Sequence, residues 1–259
     1  MQPGTISRQR YASLLREFTS AQFMMRDQHT TLGLLWSFLH PLLMMALLYV
    51  MFDLRFANKI DFFAVYLIIG LVHLAHFSNA TANSINALRN SRQLVINTTF
   101  PAEVLVVSMV LANTIEFIVS LLICIGIAGL AGIEFTSAML WLPLVVLMQT
   151  MLVMWVSLLL ATLCAFVADI GHIYQLFLRM LIFITPVFYS LSFLGNGLAL
   201  RIVMLNPLTH LMTFSRSIII DGIAPSLVSV GYFLAVNGLL LIGALKLFRR
   251  MEPRFAERL

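Results

Sequence analysis

Six stretches of the chain are long and apolar enough to cross a bilayer, and polar segments separate them. A span needs about 20 mostly apolar residues to cover roughly 30 Å of hydrocarbon. The stretches are residues 34–52, 62–81, 104–132, 139–168, 174–193 and 228–248. The third and fourth exceed that length, so they are expected to tilt or overhang the hydrocarbon. No internal repeat and no low-complexity segment interrupts them. The pattern predicts an all-α integral membrane protein with six transmembrane helices.

Three segments do not fit the spanning pattern. In residues 8–25, Tyr11, Leu14, Leu15, Phe18, Gln22 and Met25 fall near one helical face, and Arg8, Arg16, Glu17 and Ser20 lie largely elsewhere. An amphipathic helix of this kind suits the membrane interface; a simple topogenic anchor is the other reading. Residues 83–103 are polar and stop at Phe100-Pro101, where Pro101 suits the first turn of the next helix. This stretch is either a docking surface or a solvated connector. Residues 194–227 are too apolar for a free loop and too broken by Gly195, Gly197, Pro207, Gly222 and Pro225 to span. Two short re-entrant helices fit them best, since irregular backbone at membrane depth must be covered by protein or line a water-filled cavity. A second pair of full spans is opposed by Arg201, Asn206, Arg216 and Asp221.

Composition sharpens the class. Apolar residues are 61% and charged residues 10% of the 259 positions. Soluble domains average about 45–50% and 25%, so a disordered chain is excluded, and a polytopic membrane protein, not an ordinary soluble enzyme, is the default reading. The first 30 residues carry no apolar run of the kind a cleavable signal needs. With the N-terminus inside, Arg8, Arg10, Arg16, Arg26, Arg89, Arg92, Lys246, Arg249, Arg250, Arg254 and Arg258 fall on the cytoplasmic side. Only Arg55, Lys59, Arg201 and Arg216 fall outside, so both termini are expected in the cytoplasm. The net charge of +5 thus reads as membrane orientation and not as nucleic-acid binding. The whole chain, 1–259, forms one membrane domain: an interface segment 1–33, a core 34–248 and a cytoplasmic tail 249–259.

Motifs for chemistry are sparse. No GxxxxGK[ST] phosphate loop is present, so the chain has no such cradle for ATP. HExxH, GxSxG and CxxC are missing too, and Cys124 and Cys164 sit in apolar runs. His73 and His76 are three residues apart without a third ligand, which favours polar packing between helices over a metal site. Two charges lie within spans, Glu116 and Arg179, and such charges are functional candidates by default. They pair if their helices touch; otherwise Arg179 snorkels to the cytoplasmic face to meet an acidic lipid or a diphosphate headgroup. Aromatics crowd the first and fifth spans, as Trp36, Tyr49 and Phe52 and as Phe177, Phe183, Phe188 and Tyr189. Interfacial belts explain most such rings, and sugar stacking would explain them as well.

Several strings, in order along the chain, resemble one family. Arg26-Asp27 followed by Thr31-Leu32-Gly33-Leu34-Leu35-Trp36 and Pro41 resembles the start of the first span of ABC-2-type permeases that export cell-surface polysaccharides. Phe100-Pro101-Ala102-Glu103-Val104-Leu105 resembles the segment that opens that family's third span. Asp169-Ile170-Gly171-His172-Ile173, Thr185-Pro186-Val187-Phe188-Tyr189 and Leu205-Asn206-Pro207-Leu208-Thr209 resemble three later motifs. One departure stands out: Ala168 occupies the place of the family's usual Arg before Asp169.

The resemblance implies a homodimer with one ABC ATPase subunit beneath each copy. ATP and magnesium would then bind the partner, with no cofactor on this chain and no enzyme activity of its own. The implied function is a channel-forming subunit of an ABC exporter for a lipid-linked polysaccharide such as O-antigen, capsule or teichoic acid, in a bacterial inner membrane. Trp36, Tyr49, Phe52, Phe183, Phe188 and Tyr189 are the candidate sugar-stacking residues. Arg179, Arg16 and Arg26 are candidates for receiving the lipid headgroup. Asp27, Arg89, Arg92 and Gln93 are candidates for ATPase coupling, and Asn206, Pro207 and Arg216 for the outer gate. A permease for a lipo-oligosaccharide or a drug shares this fold. An ion-coupled carrier would need buried titratable groups, of which Glu116 is the clear one. A lipid-modifying membrane enzyme lacks the clustered chemistry it would need.

Overall fold

A computed structural model describes residues 8–27, 35–52, 60–97, 101–167 and 169–255. All regular structure among these residues is helical. In chain order the helices are α1 (Arg8–Asp27), α2 (Leu35–Phe52), α3 (Phe63–Asn90), α4 (Arg92–Asn97), α5 (Glu103–Leu130), α6 (Leu142–Phe166), α7 (Asp169–Ile184), α8 (Leu198–Leu205), α9 (Pro207–Ile219) and α10 (Leu227–Met251). Four helical segments among the described residues are long and apolar enough to cross a membrane: Phe63–Asn90, Glu103–Leu130, Ser137–Phe166 and Leu227–Arg254. The apolar part of α2, Phe38–Phe52, is shorter.

α3 is the axis of the bundle. It is the most deeply buried of the spanning helices, with Leu67, Ile68, Ile69 and Ala80 fully enclosed. The main core joins Val65, Ile69 and Phe77 of α3 to Met148, Leu152 and Val153 of α6 and to Leu208, Leu211 and Met212 of α9. A second cluster closes the end of the bundle that carries the first and last described residues, and a third closes the opposite, far end. By contrast α10 turns much of its surface outward, with Val228, Tyr232 and Leu239 exposed. A helix with such an apolar outer face is what a lipid solvent permits.

Helix ends follow local rules. α5 stops at Gly132, whose φ of +86° favours glycine. There the Ile133 N–H reaches back to the Ala128 carbonyl, which satisfies a terminal acceptor. α9 starts on Pro207, and Asn206 caps it by accepting from the Leu208 N–H at 3.1 Å. α10 is capped by Ser226, whose hydroxyl accepts from the Ser229 N–H.

Two expectations need correction. The polar stretch after residue 81 is not an open loop at its start. α3 runs on to Asn90 and buries Ser84, Ile85, Ala87 and Leu88. Helical periodicity persists there, and small residues hide it from a hydropathy reading. The apolar stretch 174–193 is not one helix either. α7 ends at Ile184, and a turn and a short 3₁₀ segment, Leu191–Leu194, follow. Pro186 cannot supply a helical N–H, which ends the ladder there. Residues 194–227 do hold two short helices, α8 and α9, as their broken apolar pattern predicts.

Candidate functional site

The far end of the bundle is organised by one buried side chain. Once α7 ends, the carbonyls of Pro186 and Val187 have no helical donor. Arg216 of α9 supplies it: Nη1 donates to Pro186 O at 2.7 Å and Nη2 to Val187 O at 3.0 Å. Nε and Nη2 also donate to the Tyr66 carbonyl of α3, at 3.2 and 3.0 Å. The guanidinium lies over the Tyr66 ring, with Cζ 3.4 Å from its centroid. Arg216 is 6% exposed, so a planar fork of donors replaces water for three carbonyls. Gly70 leaves room for it, because a Cβ there would stand 2.6 Å from Nη2.

Asn206 ties the same region a second time. Its Nδ2 donates to Thr185 Oγ1 at 3.1 Å while its Oδ1 caps α9. The Tyr66 hydroxyl donates to Tyr189 O at 2.9 Å. The residues of Thr185-Pro186-Val187-Phe188-Tyr189 and of Leu205-Asn206-Pro207-Leu208-Thr209 are thus joined directly. Asn206→Ala is expected to cost about 1 kcal/mol in unfolding free energy through the lost cap. Asn206→Asp should recover most of that while still losing the donor to Thr185. Thermal unfolding of the two detergent-solubilised variants side by side checks this ranking.

Beside this node lies an aromatic group. Phe52 stacks on Phe188 with centroids 5.1 Å apart and planes 12° apart. Phe183 and Tyr189 meet Phe188 edge-on at 6.3 and 5.3 Å. Tyr49 leans on Phe63 at 6.0 Å. Phe183 and Tyr49 are exposed, whereas Tyr189 is buried and its hydroxyl donates to Phe183 O. Tyr189 therefore braces the turn within this chain. Trp36 is exposed at the other end of α2, about 24 Å along the helix axis from Phe52.

A second node closes the terminal end. Glu103, in the first turn of α5, is 2% exposed. Arg249 of α10 clasps it with Nε–Oε2 at 2.7 Å and Nη2–Oε1 at 2.8 Å. The Tyr11 hydroxyl of α1 donates to Glu103 Oε1 at 3.2 Å. Burial, then the neighbouring Glu103 charge, push the Tyr11 phenol up to about 12, so it stays a donor at ordinary pH. Glu252 accepts from the Ala102 N–H, an orphan donor at the helix start. Phe18 of α1 packs against the cluster that holds Leu105, Phe248 and Phe255. The amphipathic face of α1 is thus spent, at least in part, on the protein itself.

Polar links also cross the middle. His73 uses both ring nitrogens, toward Gln149 of α6 at 3.2 Å and Ser215 of α9 at 2.8 Å. Tyr174 of α7 donates to Thr81 of α3 at 2.7 Å, and Trp155 of α6 to Asn237 of α10 at 3.0 Å. Glu116 is buried and lines a small cavity with residues of α2 and α3, whereas Arg179 is exposed on α7. Among the described residues no group of three or more His, Cys, Asp or Glu side chains is arranged to hold a metal.

Residues 14–220 match the family described as ABC-2 type transporter. The chain belongs to that family. Relatives of this ABC-2 transporter chain include the O-antigen export system permease protein RfbA of Myxococcus xanthus, 29% identical over 95% of each chain. The protein of the same name from Klebsiella pneumoniae is 26% identical over 94% of each. An ABC-2 transporter chain is a transport subunit, and ATP hydrolysis belongs elsewhere in the assembly.

The structure brings some candidates of the ABC-2 chain together and leaves others apart. Asn206, Pro207 and Arg216 meet at the far node. Phe52, Phe183, Phe188 and Tyr189 form one group. Arg92 and Gln93 are exposed on α4, and Arg89 is exposed but donates to Cys164 O at 2.7 Å. Arg16 is exposed on α1. Arg26 and Asp27 close α1, and their side chains lie outside the described residues, as do residues 28–34 and Phe100. Sequence reasoning missed Tyr66 and Gly70, which carry no motif. In the sequence Glu103 is one letter of a family-like string, and Arg249 is one of several basic residues near the C-terminal end. A buried acid opening a helix near a cationic C-terminus was the available signal.

Proposed function

We infer that this chain is the channel-forming transmembrane subunit of an ABC exporter that moves a lipid-linked cell-surface polysaccharide across a bacterial inner membrane. The full-length relationship to permeases named for O-antigen export carries this reading. In it the chain works as a homodimer with two ABC ATPase subunits, which bind ATP and magnesium. The six spans are α2, α3, α5, α6, α7 and α10. Helices α8 and α9 are re-entrant from the outer side, α1 lies in the cytoplasmic interface, and both termini are cytoplasmic.

In this mechanism ATP-driven closure of the partners pushes on Asp27, Arg89 and α4 with Arg92 and Gln93. The push shifts the spans and opens a path at the dimer seam. Tyr49, Phe52 and Phe183, with Phe188 behind them, offer ring faces to sugars, and Trp36 does so nearer the cytoplasm. Arg16, Arg26 and Arg179 receive the anionic headgroup. The node of Arg216 and Asn206 sets the position of the outer gate.

The test is deletion with complementation, joined to purification. Loss of one surface glycan on deletion, and recovery of a complex that hydrolyses ATP, are the expected results. A chain that never recruits an ATPase and moves substrate on an ion gradient would overturn the reading.

A further inference from the structure

Between α2, α3 and α5 lies a polar cavity of about 20 Å³, large enough for one water molecule. Its wall includes Pro41 of α2, His76 and Asn79 of α3, and Asn113, Glu116 and Ser120 of α5. His76 is 5% exposed, and its Nδ1 is buried with no hydrogen-bond partner among the described residues. An orphaned buried acceptor or donor costs on the order of 1–3 kcal/mol, so such atoms usually find a partner.

The tautomer follows from the neighbours. Nε2 of His76 is 3.4 Å from Thr114 Oγ1. Thr114 gives its one hydroxyl proton to the Val110 carbonyl at 2.9 Å, and Thr150 gives its own to Val146 at 2.8 Å. Neither hydroxyl has a proton left for His76, so Nε2 carries the N–H and Nδ1 carries the lone pair. The imidazole also stacks on Phe117 at 4.5 Å, which fixes its plane. Nδ1 therefore needs a donor from the cavity.

We propose that this cavity is a binding site for one water molecule, which joins Glu116 to His76 Nδ1 and lets the two share one exchangeable proton. The water donates one hydrogen to Nδ1 and accepts from the Glu116 carboxyl, so the shared proton is the carboxyl's own, and its passage through the water leaves a carboxylate facing an imidazolium. The titratable and charged groups around it among the described residues are these. His73 on α3 has both ring nitrogens engaged, Arg216 of α9 is committed to carbonyls, and His40 beside Pro41 is exposed. Because Pro41 forms one wall, moving α2 away from α3 and α5 would open the shared proton to its surroundings.

Infrared spectroscopy of the full chain in lipid nanodiscs tests this without reference to the transported substrate. The carboxyl band of Glu116 is assigned by its loss in Glu116→Gln. His76→Gln and the cavity-filling Ser120→Val are both expected to shift that band. Ala75→Val, also on the cavity wall, serves if Ser120→Val does not fold. A band moved by His76→Gln but not by filling would mean direct contact without water, and would overturn the site. A band indifferent to His76→Gln, or indifferent to both changes, would overturn the shared proton.

Discussion

Arg216→Met is expected to remove export and to lower unfolding stability by about 3–5 kcal/mol. The substitution keeps a flexible apolar stem but deletes every donor to the Tyr66, Pro186 and Val187 carbonyls. Two of those carbonyls sit where α7 has already run out of its own N–H groups, so the loss is of unsatisfied acceptors and not only of favourable bonds. Arg216→Lys should fall between wild type and Met. An ammonium has three donors, but not the planar fork that reaches two groups on either side. Gly70→Ala attacks the same point from the opposite side, since its Cβ would displace Nη2. A cost of about 1–3 kcal/mol is expected for that overpacking. Thermal unfolding in detergent, paired with surface-glycan staining of the complemented deletion strain, reads both effects. Wild-type stability and wild-type export in Arg216→Met would show that the far node is dispensable.

Glu103→Ala is expected to uncouple α1. Arg249 is the more exposed partner, with 63% of its side chain in solvent, so the ion pair itself contributes little to global stability. The local consequence is larger. Tyr11 loses its acceptor, and α1 loses that polar tie to α5. Amide exchange across residues 8–24 should quicken roughly tenfold, which corresponds to about 1.4 kcal/mol of local opening. Glu103→Gln still accepts from Tyr11 and should recover part of that protection. Export should fall in step with the loss of protection if α1 has to move with α5. Unchanged exchange in Glu103→Ala would mean that Phe18 and its neighbours hold the helix alone.

Hydropathy made four long helices legible, because a lipid solvent leaves little else for an apolar run of that length to do. It misjudged the fifth stretch. The window around Thr185-Pro186 stays apolar on average, and only the missing proline N–H records the break. It also cut α3 short at residue 81, where Ser84 and Ala87 still face the core. The far node was half visible. Asn206-Pro207 announces a helix start in any context, whereas the partnership of Arg216 with Tyr66 links residues 150 positions apart and follows no local rule. Arg216 stood out as a charge in an apolar neighbourhood, and charge placement assigned it to the outer side. Its donors are in fact turned inward onto carbonyls. The aromatic group was legible as composition, but nothing in the sequence distinguished Tyr189, which is buried, from Phe183, which is exposed.

Phe255 gives the terminal end a further meaning. Its ring is fully buried against Phe166 and Phe248, at 5.9 and 5.2 Å between centroids. The last described residue is therefore anchored a few side chains from the place where Tyr11 meets Glu103. The start of α1 and the last described residue converge on the foot of α5. Fluorophores attached beside Tyr11 and beside Phe255 would form a molecular ruler across that joint, and energy transfer between them would report each separation of α1 from α10 while the transporter turns over.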